Sequence, residues 1–209
     1  MIEFKPVTVP TSWNGQRLVN GKLGPCDLHP VFFPGTGNLD CHTYTARAVG
    51  AMQAVCLADT KLHLSATGAY RSYEQQVNAF NTRYTSSYLP VRNVLTSQRT
   101  WNGQTYYLRR GMSPVAVPGT SNHGYGIAVD FAWWTGVNLS GLTDIAGITH
   151  ASYKTGWEWV QANAVSFGFS WEGARPGQPG WEPWHLRHIV GNDVSPRVLQ
   201  VEAFFAALA

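Results

Sequence analysis

Apolar residues recur at three- and four-residue steps through 43–58, where Ala48, Val49, Met52, Val55 and Cys56 share one face of a predicted helix. The period then shortens to two. Lys61–Ala66 alternates around Leu62 and Leu64, predicting a short strand that Gly68 ends. Ser72 and Gln75 have capping-box spacing, so a helix is expected over about 73–84 with Val77 and Phe80 inward. Thr100–Tyr106 reads as a hairpin turning at Asn102-Gly103, the pair favoured in two-residue turns. Ile127, Val129 and Phe131 alternate with Ala128 and Asp130, which predicts a strand with Asp130 facing away from its apolar neighbours. Thr155 and Glu158 suggest a second capping box before a helix over 156–166. Phe167–Trp171 is strand-like, Trp181–Val190 reads as the last sheet strand after a Gly/Pro loop at 173–180, and Val198–Leu208 as a closing helix. The expected class is α+β, a mostly antiparallel sheet with helices packed on it.

The remainder of the chain divides around this pattern. Residues 1–40 are rich in Pro, Gly and Asn and read as an irregular lead-in, leaving 41–209 as one domain with an insertion at about 85–118. Nine Trp, nine Tyr and nine Phe are a heavy aromatic load. Some fill a core, while Trp133, Trp134 and Trp181 suit the lining of a ligand cleft equally well. With 15 Lys and Arg against 12 Asp and Glu, the net charge is +3 and unclustered, which argues against a nucleic-acid partner. The mild basicity suits an anionic polymer such as a bacterial cell wall. Three cysteines without CxxC exclude a Cys-rich zinc site. They leave open a Cys26–Cys41 disulfide with Cys56 free, or three free thiols. The start, MIEFKPVTVPTSW, lacks the basic and apolar regions of a signal peptide, and no apolar run approaches a membrane span. The expectation is a protein made in the cytoplasm and acting outside it only after release by another agent.

The segment Ser121-Asn122-His123-Gly124-Tyr125-Gly126-Ile127-Ala128-Val129-Asp130 carries the strongest chemical signal. Imidazole and carboxylate both bind zinc, and Gly124 and Gly126 permit the bend that brings His123 beside Asp130. Alone, the pair is better explained as a turn cap and a satisfied polar side chain. The second segment is Trp181-Glu182-Pro183-Trp184-His185. On a regular strand Glu182 and His185 face opposite ways, but Pro183 blocks regular pairing and lets them converge. His188, three strand positions further on, faces away. Two His and one Asp leave a fourth tetrahedral position open, as catalytic zinc sites do, and a neighbouring Glu can take a proton from water.

SNHGYGIAVD resembles the SxHxxGxAxD motif, and EPWH the ExxH motif, of the VanY-like D-alanyl-D-alanine carboxypeptidases, relatives of lysostaphin and sonic hedgehog that include phage endolysins. Ala69-Tyr70-Arg71-Ser72-Tyr73-Glu74 is similar to the family's GYRSxxxQ segment, Phe167-Gly168-Phe169 to its GF strand, and Pro118–Ser121 and His185-Leu186-Arg187 to its PGxSxH and WHxR flanks. The likeness spans about 40–192. It implies a hedgehog/D-Ala-D-Ala peptidase-like fold and one zinc ion on His123, Asp130 and His185. It also implies Glu182 as base, Arg71 at the substrate carboxylate or scissile carbonyl, and Ser121 at the substrate peptide. The chain departs from the family before residue 40 and over 85–112.

The function expected is zinc-dependent hydrolysis in peptidoglycan stem peptides by a phage or prophage endolysin endopeptidase, released through a holin. The alternatives are a D-Ala-D-Ala carboxypeptidase and a non-catalytic zinc-containing wall-binding module. A glycosidase built on Glu172 and Glu182 leaves the His and Asp spacing unexplained. The expected partner is a stem peptide, with no nucleic acid or membrane, and the expected state is a monomer.

Overall fold

The computed structural model describes residues 6–13, 15–87, 98–137, 139–141, 151–172 and 182–208. In chain order the strands are β1 (Ser12–Trp13), β2 (Gln16–Arg17), β3 (Leu28–Phe33), β4 (Gly37–His42), β5 (His63–Gly68), β6 (Tyr84–Thr85), β7 (Gln98–Trp101), β8 (Gln104–Leu108), β9 (Ala128–Trp134), β10 (Leu139–Gly141), β11 (Phe169–Trp171) and β12 (His185–His188). The helices are α1 (Thr43–Thr60), α2 (Tyr73–Arg83), α3 (Ala151–Asn163) and α4 (Pro196–Ala206).

β9 organises the molecule. It pairs along one edge with β5, and along the other with β12 near its start and β10 near its end; β11 then pairs with β12, and every pairing is antiparallel. Alternation along β9 sends Val129, Phe131 and Trp133 into the main core with α1, α3 and α4. Asp130 therefore faces the other side of the sheet. Leu64 and Ala66 of β5 and Leu186 of β12 join the same core, so one apolar layer holds the sheet to its helices. Each large side chain fully withdrawn from water there contributes roughly 1.5–3 kcal/mol before entropy is subtracted.

The capping box is present in full: Ser72 Oγ accepts from Gln75 N at 3.2 Å, and Gln75 Oε1 accepts from Ser72 N at 2.8 Å. The hairpin turns where expected, with Asn102 and Gly103 both at positive φ (50° and 77°).

Other elements differ from the sequence expectation. α3 begins at Ala151, which puts Thr155 inside the helix rather than at its cap. Strand β12 begins only at His185, because Glu182–His185 is a turn closed by His185 N donating to the Glu182 carbonyl at 3.0 Å. The interior residues of α2 are Gln76 and Phe80, with Val77 only half-buried.

The first forty residues are not irregular throughout. β3 and β4 form a hairpin whose Val31, Phe33 and Cys41 lie in the core, and β4 runs across residue 40. Trp133 is a core residue with 1% exposure rather than a cleft wall, Trp134 packs over Gly35, and Trp181 lies outside the described residues. All three cysteines are free; burial, foremost, pushes the Cys41 thiol up to about 12 and Cys56 to about 11. No described helix is long and apolar enough to cross a membrane.

Candidate metal centre

The site grows out of the β9–β12 ladder. Asp130 and His185 are directly opposite in register, so both side chains leave the sheet on the same face. His123 reaches them from a single 3₁₀ turn, Asn122–Tyr125, that precedes β9. Ser121 caps this turn, its hydroxyl accepting from His123 N at 3.3 Å. Gly126 ends the turn at φ +65°, and a Cβ there would stand 2.6 Å from the His42 backbone nitrogen. Gly124 is needed for proximity instead, since a Cβ would lie 2.1 Å from Asn20 Oδ1. The amino-terminal segment holds the turn in place: Asn20 Nδ2 donates to the Ser121 carbonyl at 2.7 Å, and Gly21 N to the Gly124 carbonyl at 2.6 Å.

One potential ligand atom from each of His123, Asp130 and His185 lies within 4.8 Å of the others. His123 Nε2 is 3.3 Å from Asp130 Oδ2, and His185 Nδ1 is 2.9 Å from Asp130 Oδ1. The other nitrogen of His123, Nδ1, is 2.6 Å from the Ala69 carbonyl, an oxygen that can only accept. With the proton on Nδ1 for that bond, Nε2 presents a lone pair to a carboxylate oxygen. Two acceptors aimed at each other are an arrangement that a cation between them satisfies, and the donor set of two imidazoles and one carboxylate suits zinc. The residues present therefore fit the ion.

The charges are mutually adjusted. Burial pushes the Asp130 carboxyl up, but the His123 and His185 rings beside it outweigh burial and hold the group well below the usual carboxylate range. Burial lowers His185, yet its bonds to Asp130 and Glu172, together with the charges of Asp130 and Glu182, raise it to about 9. Glu182 lies within electrostatic reach of the cluster, and partial desolvation raises its pKa, with the charges of Asp130 and Glu172 adding to the rise and those of His185 and His123 opposing it. Pro183 in the second position of its turn brings Glu182 back toward His185. The turn is fastened on both sides, by Phe131 N donating to the Trp184 carbonyl at 2.9 Å and Trp171 Nε1 to the Pro183 carbonyl at 3.0 Å.

Arg71 lies beside the cluster, within electrostatic reach of Asp130 and Glu182. Its backbone N donates to the His123 carbonyl at 3.1 Å, so residues 69–71 grip His123 from two points. The guanidinium is held by Gln76 Oε1 at 3.0 Å, and Gln76 Nε2 donates in turn to the Ala116 carbonyl at 2.6 Å. Gln76 is thus a support for Arg71, signalled in the sequence only as the final residue of the GYRSxxxQ pattern. Glu172, whose sequence position suggests only a carboxylate paired with Glu182, faces His185 instead. His188 is not in the cluster. It is buried beside Phe169, and neither of its ring nitrogens has a hydrogen-bond partner among the described residues.

An α+β domain with a His/Asp/His cluster that can hold a metal on the sheet face opposite its main core, near a glutamate and an arginine, has the parts of a metal-dependent hydrolase. The chain belongs to the VanY family of D-alanyl-D-alanine carboxypeptidases, whose family model matches residues 38–192, and is thus placed among peptidases. A comparison with curated proteins finds no match. Among solved structures, the fold is similar to that of the LdcB LD-carboxypeptidase, with 23% identity and a TM-score of 0.56 over 94% of this chain and 80% of that one. VanYB, solved in complex with D-alanine-D-alanine, is 18% identical with a TM-score of 0.48, covering 91% of each chain. A mutant of the D,D-pentapeptidase VanY solved with Zn(II) is also 18% identical at 0.48, over 90% of this chain and 92% of that one.

Proposed function

We propose that this chain is a zinc peptidase that acts on peptidoglycan stem peptides as a carboxypeptidase, releasing a terminal D-alanine. The observation that carries this reading is the convergence of His123, Asp130 and His185 within the stretch matched by the family model. Bound there, zinc supplies Lewis acidity toward a carbonyl and makes water more acidic.

The chain's own residues supply the rest. Glu182, with its raised pKa, accepts the proton of the attacking water and returns it to the leaving amine. Arg71, fixed by Gln76, presents positive charge to the oxygen of the scissile carbonyl as it becomes an oxyanion. Ser121 already caps the His123 turn with a lone pair, and its hydroxyl proton is available to a substrate carbonyl.

The endolysin endopeptidase expected from the sequence uses the same chemistry on a longer leaving group, and no feature of the described residues favours it. Incubating the zinc-loaded protein with a stem pentapeptide ending in D-alanyl-D-alanine should remove one alanine by mass spectrometry. Release of longer fragments would replace the carboxypeptidase by an endopeptidase, and an intact peptide would overturn the peptidase reading for this substrate.

A further inference from the structure

We propose that Glu172 is the positioning residue for His185, holding its ring so that Nδ1 points a lone pair at the metal; this rests on the zinc reading above. β11 and β12 pair with Phe169 opposite His188 and Trp171 opposite Leu186, so one further step of the same register sets Glu172 opposite His185. The side chains meet there, with His185 Nε2 3.2 Å from Glu172 Oε2.

Each ring nitrogen of His185 thus faces a carboxylate, Nδ1 toward Asp130 and Nε2 toward Glu172. An imidazole that binds a metal ion does so in its neutral form and carries one proton. Only with that proton on Nε2, donated to Glu172, is Nδ1 left to bind the ion beside Asp130. His123 solves the same problem the other way round, with Nδ1 on the Ala69 carbonyl and Nε2 at the metal. The two rings are therefore oriented by different acceptors, one a fixed backbone oxygen and the other a charged side chain. A carboxylate in this position also increases the donor strength of the imidazole.

Glu172 is itself anchored to both ligand segments. Asn122, the neighbour of His123, donates from Nδ2 to Oε2 at 2.9 Å, and Nη1 of Arg187, two residues after His185, lies 3.8 Å from Oε1. The Glu172 side chain is nevertheless 46% exposed, so its replacement leaves the core untouched.

The test compares zinc affinity by chelator competition in the full-length unaltered protein, Glu172→Ala and Glu172→Gln, with ring nitrogen NMR of His185 in each. Removing such an acceptor costs about 10- to 100-fold in metal affinity. The alanine variant should show that loss and a disturbed Nε2–H signal, with an unchanged circular dichroism spectrum. Glutamine, whose oxygen still accepts from Nε2–H, should keep the tautomer and most of the affinity. An alanine variant with unaltered affinity and an unaltered ring signal overturns the assignment of Glu172 alone. A glutamine variant as weak as alanine overturns it too, because charge rather than an accepted hydrogen bond would then matter. If the unaltered protein binds no zinc, the zinc reading falls and this inference with it.

Discussion

His185 and Asp130 stand directly opposite each other across the β9–β12 ladder, with Nδ1 2.9 Å from Oδ1. This pairing makes the candidate metal centre a property of the sheet rather than of a loop. A ligand pair fixed by strand register does not have to be ordered when the ion binds, so little conformational entropy opposes binding. Only His123 comes from outside the ladder, and its turn is held by the amino-terminal segment and by residues 69–71.

Loss of a ligand should therefore remove the ion without unfolding the domain. Asp130→Ala and His123→Ala are expected to bind less than one tenth of the zinc held by the unaltered protein at equal free metal, while their far-ultraviolet circular dichroism is retained. Elemental analysis after desalting checks this. Full zinc occupancy in Asp130→Ala would remove that residue from the ligand set.

Glu182 is outside the ladder and outside the ligand set, so its replacement separates chemistry from metal binding. Glu182→Ala should keep one zinc per chain and lose about 10²- to 10⁴-fold in kcat, the usual contribution of a positioned acid–base group. Hydrolysis at the normal rate by the zinc-loaded variant would mean that another group moves the proton.

Arg71 is expected to act in the transition state, as the oxyanion develops. Arg71→Ala should lower kcat by about 10²- to 10³-fold, as loss of an oxyanion donor does. Gln76→Ala should give a smaller loss of the same kind, because it frees the guanidinium that Gln76 Oε1 now holds. Steady-state kinetics on the stem peptide distinguish this from a pure rise in KM, which would make Arg71 a ground-state binding residue.

Acid should weaken the fold through a pair of buried histidines away from the metal. Burial first, and then the charge of His42, lower the pKa of His188 to about 4, with Asp193 opposing; His42 is lowered by its own burial, against Asp27. Because the folded-state pKa of His188 lies below its ordinary value near 6.5, the unfolded chain takes up its proton first. Stability is complete above about pH 6.5 and declines as pH falls toward 4, by on the order of 3 kcal/mol from His188 alone. Urea unfolding between pH 7 and pH 5 should show a steeper loss in the unaltered protein than in His188→Phe. Parallel slopes would contradict this.

Much of the site is legible in the sequence because its chemistry is local. The two-residue period of Ile127–Phe131 put Asp130 on the face away from the core, and the His123 turn needed the glycines that the sequence supplies. Glu182–His185 is harder: Trp184 and the preceding Trp181 look like strand residues, and the 3.0 Å hydrogen bond across Pro183 shows the segment to be a turn. Thr155 misled because cap spacing recurs inside helices. Glu172 and Gln76 are hard to recognise as supports in the sequence because their roles depend on strand register and on a contact forty residues away with Ala116, although Gln76 ends the GYRSxxxQ pattern. The amino-terminal hairpin was hidden by its Pro and Gly content, which marks the turns but not the strands between them.

The most direct test of the central claim is the rate of D-alanine release from a stem pentapeptide by one preparation in three states: zinc-loaded, chelator-stripped and reloaded. The account predicts release in the first, loss on stripping and recovery on reloading, with no recovery in Asp130→Ala. Equal release from the stripped protein would show that the peptide bond is cut without the ion that His123, Asp130 and His185 are arranged to hold.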